Sequence, residues 1–62
     1  MLKNVTYDKL KLAYHLSCLV WFIEKHGLDD AKTAGDEECL ELMKNLQSDL
    51  QEYLHELEEC LS

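Results

Sequence analysis

The sequence has no proline, no arginine and only two glycines, and each scarcity excludes something. Without proline, Gly27 and Gly35 are the only strong helix breakers in 62 residues. Without arginine, the bidentate phosphate and base contacts that mark nucleic-acid binders are missing. No apolar stretch approaches the roughly 20 residues that span a bilayer. The opening Met1-Leu2-Lys3-Asn4 leads into no apolar signal core and no small-residue cleavage site. The three cysteines, Cys18, Cys39 and Cys60, are an odd number with no Cys-x-x-Cys pair. That argues against both a disulfide scaffold and a zinc ribbon. Reduced thiols acting as small apolar residues in a cytoplasmic protein are the expectation.

What is present is acidic and apolar. Thirteen carboxylates against six lysines give a net charge of −7. Residues 1–31 balance four lysines with four acids. Residues 32–62 set nine acids against two lysines, so the whole excess falls on the second half. Phosphate backbones and anionic membrane surfaces would repel that half. A hydrophobic fraction of 47% is too high for a disordered chain, and the length allows one small domain.

The pattern predicts an all-α fold, an antiparallel hairpin with a first helix over about 7–26, a connection over 27–36 and a second helix over about 37–61. Thr6 reads as the first N-cap, with Val5 and Leu10 as a hydrophobic staple. Lys25, His26, Gly27 and Leu28 read as a C-terminus, Gly27 in the left-handed position and Leu28 touching Ile23. Thr33 or Asp36 would cap the second helix, with Glu37 and Glu38 in its first turn. Cys39, Met43, Leu46, Leu50, Tyr53, Leu57 and Cys60 then form an unbroken 4-3-4-3 seam, widened by Leu40, Leu54 and Leu61. Glu37, Glu38, Glu41, Glu52, Glu58 and Glu59 fall away from that seam as an acidic face.

The first helix is more apolar than one partner can cover. Leu12, Leu16, Leu19 and Ile23 form one stripe, which should pack on Met43, Leu46, Leu50, Tyr53 and Leu57 as the hairpin core. Leu10, Tyr14, Cys18 and Trp21 lie nearly opposite. A lone hairpin of this size also lacks a sufficient core. Both points lead to a self-associating hairpin, most simply a homodimeric four-helix bundle.

No constellation for chemistry survives its own geometry. Glu52-x-x-His55 has the spacing of di-iron bundle ligands, but both residues face away from the seam. His15 and Cys18 could offer two zinc ligands, with no second pair in reach on the same hairpin. A calcium loop from Asp30 to Glu41 places Gly35 and Glu41 correctly, yet Lys32 and Ala34 occupy ligand positions. Ser17, Ser48 and Ser62 lack a positioned base. No catalytic residue, metal or cofactor is therefore expected.

The layout resembles the plasmid-encoded Rop-type RNA-binding hairpin, a short two-helix chain that dimerises into a bundle. That resemblance implies the architecture, while the missing arginines and the −7 charge argue against RNA binding here. The Gly27-Leu28 turn and the acidic, leucine-rich second helix are also similar to the hairpin phosphatases of sporulation phosphorelays. Their Ser-x-Glu-Leu-Asp motif is absent; the nearest run, Leu46-Gln47-Ser48-Asp49-Leu50, does not match it. Two roles follow from the residues. One is a non-enzymatic interaction or regulatory module that uses the Leu10, Tyr14, Cys18 and Trp21 face, either for a second copy or for another protein, since Trp and Tyr dominate binding hot spots. The alternative is an acidic decoy whose second-helix carboxylates imitate nucleic-acid phosphates and occupy a basic groove.

Overall fold

The computed structural model describes residues 3–61. Met1 and Leu2, read above for a leader segment, and Ser62, considered as a nucleophile, lie outside them. The chain forms two antiparallel rods. The first runs through α1 (Asn4–Phe22), a π-helical turn (Ile23–Gly27) and α2 (Leu28–Ala34) without a break; the second is α3 (Glu37–Leu61). At 1.5 Å per residue the first rod is roughly 45 Å long, in keeping with the 48 × 16 × 14 Å extents of the molecule.

The first helix starts earlier and ends later than its sequence suggests. Its opening hydrogen bond runs from the Tyr7 amide to the Lys3 carbonyl at 3.0 Å. Thr6 is therefore not the N-cap; it lies inside the first turns, half-buried. Gly27 does not end the helix either. Its backbone is right-handed helical (φ −58°, ψ −48°), and the Leu28 amide donates to the Ile23 carbonyl across the π turn. Continuation is favoured because Leu28 and Ala31 extend the inward face by another two turns. Gly27 serves packing instead. A Cβ at this position would sit 3.0 Å from Met43 Sδ, so the missing side chain lets the rods approach.

The true helix terminus is Gly35. Its φ of +70° is the one positive value among the described residues. The Asp36 amide donates to Ala31 O at 3.0 Å and the Gly35 amide to Lys32 O at 3.1 Å. That is a Schellman closure with Gly35 at C′. Asp36 then starts α3 at once, its Oδ1 accepting from the Cys39 amide at 3.0 Å. The connection is thus two residues, Gly35 and Asp36, rather than the ten of 27–36 expected from the sequence. Gly35→Ala forces a Cβ into the left-handed region and Asp36→Ala removes the cap. Each is expected to lower stability by about 1 kcal/mol in urea unfolding followed by circular dichroism.

The contact line between the rods also differs from the predicted seam. On the first rod the inward positions are Thr6, Lys9, Ala13, Leu16, Val20, Ile23, Gly27, Leu28 and Ala31; on α3 they are Cys39, Leu40, Met43, Gln47, Leu50, Leu54, Leu57 and Leu61. Leu16, Ile23, Met43, Leu50 and Leu57 are inside as expected. Leu12 and Leu19 on α1, and Leu46 and Tyr53 on α3, are exposed and do not belong to the hairpin core. At 100° per residue the observed line is rotated roughly 50–60° from the centre of the stripe expected on α1 and of the seam expected on α3. The arcs are wider than one partner helix can cover, and the hairpin uses one side of each. At the open end, Lys9 Nζ donates to the Cys60 carbonyl at 3.4 Å, a cation on the C-terminal end of α3.

Candidate interaction surface

Among the described residues, Val20, Ile23 and Ala31 are the buried apolar side chains, so much of the apolar surface remains available. One concavity lies on the outward side of α1. Tyr14, Ser17, Cys18, Trp21 and Phe22 line an open, largely apolar groove of about 580 Å³. Their spacing of three, four, seven and eight places them on one stripe of a single helix. Trp21 is 54% exposed and Tyr14 66% exposed. Leu10 is exposed one turn before Tyr14.

The walls of the groove are held by local contacts. The Ser17 hydroxyl donates to the Ala13 carbonyl at 2.8 Å, which satisfies it within the helix. The His26 ring meets Trp21 edge-on at 5.5 Å and lies tilted against Phe22 at 5.4 Å. Trp21 and His26 are five residues apart, and the wider π turn between them makes that separation a neighbour relation. Tyr14 is braced by His15 at 5.5 Å, again edge-on. The Lys11 ammonium sits 5.9 Å from the centre of the Tyr7 ring and marks the polar margin of the same face.

Of the four residues assigned to this surface from sequence, all lie exposed on α1 and three line the groove; Leu10 stands beside it. Phe22 was missed. It stands eight residues after Tyr14 but falls roughly 80° round the helix from it, at the edge of the stripe, where periodicity alone does not single it out.

The groove offers binding surface and little chemistry. Ser17 has no base beside it, and the thiol of Cys18 is free and exposed. Among the described residues no group of three or more His, Cys, Asp or Glu is arranged to hold a metal ion. His55 does not turn toward Glu52; its Nε2 lies 2.9 Å from Glu59 Oε1, one turn further along α3. Residues 30–41, weighed above as a calcium loop, are helical on both sides of Gly35 and Asp36 and cannot wrap a cation. Glu37, Glu38, Glu41, Glu52, Glu58 and Glu59 are all exposed on α3. No described helix is long and apolar enough to cross a membrane.

Comparison with known protein families, with characterised proteins and with solved structures finds no match for this chain.

Proposed function

We propose that this chain is a non-enzymatic interaction module: a helical hairpin that pairs with a second copy as a four-helix bundle in the cytoplasm and offers the α1 groove to another protein. The observation that carries this reading is the groove itself. Tyr14, Cys18, Trp21 and Phe22 project from a helix whose opposite side is already packed on α3, and all four are exposed. Aromatic anchors beside a shallow apolar cleft are what helix-in-groove and loop-in-groove contacts use.

Capture of partners from the native host, with purified wild-type and variant hairpins as bait, tests the reading. Trp21→Ala should weaken a captured partner by about 2 kcal/mol or more, roughly thirtyfold in affinity. Raising the salt should change capture little, because the contact is apolar. The reading is overturned if the partner survives Trp21→Ala but is lost at high salt and in a Glu52→Gln, Glu58→Gln, Glu59→Gln variant. That outcome would establish the acidic decoy in its place.

A further inference from the structure

The hairpin leaves a second apolar surface exposed, distinct from the groove and built from both rods. On α1, Val5, Leu12 and Leu19 recur every seven residues; on α3, Leu46 and Tyr53 do the same. All five are exposed, Leu46 at 46% and Tyr53 at 62%. They share one side of the molecule for a geometric reason. At 100° per residue, Leu12 and Leu19 are rotated by roughly 70–90° from the line on α1 that meets α3, and Leu46 and Tyr53 are rotated from their line by the same amount in the same sense. In an antiparallel pair, equal rotations of the same sense turn both sets toward the same face of the plane through the two axes. The α1 groove is rotated in the opposite sense. Its neighbours across on α3 are the polar Lys44, Gln51 and His55, so the other face is apolar on one rod only.

We infer that the strip formed by Val5, Leu12, Leu19, Leu46 and Tyr53 is the surface on which a second copy of this chain packs. The inference rests on the self-association proposed above and specifies its face. Three observations single out a copy as the occupant. First, a seven-residue apolar repeat on two neighbouring helices is the surface that another pair with the same repeat meshes with. A second hairpin supplies that pair by symmetry. Second, the stripe of Leu12, Leu16, Leu19 and Ile23 on α1 and the apolar arc of α3 are each centred roughly 40–60° away from the partner rod. In a square array of four helices the direction to the bundle axis lies roughly 45° from the direction to a neighbour. Each arc therefore points near the centre of a bundle, not at the other helix of its own hairpin. Third, the area fits. A compact 7.3 kDa chain exposes roughly 4,200 Å², whereas this hairpin exposes 5034 Å². The surplus is close to the about 800 Å² that each partner contributes to a standard interface. Glu41, Glu52 and Glu59 project from the side of α3 turned away from α1, outside the strip, while Asp8 on α1 and Asp49 on α3 border it.

Two measurements test the face. Light scattering after size exclusion should give twice the 7.3 kDa chain mass for the wild type. It should give the single-chain mass for Leu19→Asp combined with Leu46→Asp, and twice the chain mass again for Tyr14→Asp combined with Trp21→Asp. A reporter that leaves the hairpin intact guards against misfolding of the charged variants. In a Trp21→Phe, Tyr53→Trp chain, the new indole should shift to the blue and lose most of its quenching by acrylamide as concentration rises. The wild-type indole at Trp21 should stay quenchable over the same range. A dimer in which Trp21 becomes protected while position 53 stays quenchable overturns the assigned face and leaves self-association standing. A wild type that remains a single chain at millimolar concentration overturns both.

Discussion

Ile23→Ala is expected to lower the unfolding free energy by about 3 kcal/mol and the melting temperature by roughly 12–24 °C. Ile23 is one of three buried apolar side chains among the described residues, and it lies where the π turn packs against α3. A protein with so few buried groups has no reserve. Small single cores supply only about 3–5 kcal/mol in all, so this one truncation approaches the whole stability of the fold. Thermal unfolding followed at 222 nm gives the answer directly. A loss below about 1 kcal/mol would mean that the contact between the rods contributes little at this level.

The second large effect is at Gly27. Gly27→Leu should destabilise by about 3 kcal/mol, since atoms beyond Cβ would occupy the space held by Met43. Gly27→Ala separates the two roles that a glycine here can have. Were Gly27 a left-handed terminus, alanine would cost about 1 kcal/mol. In the helical backbone observed, alanine gains about 1 kcal/mol of helix propensity and loses a similar amount by displacing the flexible Met43 side chain. The single change should therefore be close to neutral. Repeating it on a Met43→Ala background removes the clash, and Gly27→Ala should then stabilise by about 1 kcal/mol. Additive effects in that cycle would contradict the close approach.

The two glycines show why part of the fold was legible and part was not. The bounds of α3 could be read directly and its cap narrowed to Thr33 or Asp36, because Gly35-Asp36-Glu37-Glu38 carries a stop, a cap and an acidic first turn in succession; the structure selects Asp36. Gly27, followed by Leu28 and preceded by Lys25 and His26, carries the same local marks as a stop. A glycine that ends a helix and one that admits a neighbouring side chain look alike until the neighbour, Met43, is known. The inward face was partly hidden for a related reason. Hydrophobic periodicity ranks Leu46 and Tyr53 above Gln47, yet Gln47 lies on the contact line and the other two do not. Periodicity gives the centre of an apolar arc; which edge of the arc meets a given partner depends on how many partners there are. Of the surface residues, Tyr14, Cys18 and Trp21 were readable because α1 is apolar all round. Phe22 was not, because it sits at the edge of the Tyr14–Trp21 stripe, roughly 80° round the helix from Tyr14.

That excess of apolar arc is the physical basis of the whole account. One hairpin covers one side of each helix and leaves large apolar side chains exposed on both. Sedimentation equilibrium of the unmodified chain, from micromolar to millimolar concentration, tests this most directly. The account predicts a mass that rises to twice 7.3 kDa and stops there, with a melting temperature that climbs with concentration as linked folding and association require. A mass fixed at 7.3 kDa over the full range, with a melting temperature independent of concentration, would contradict it.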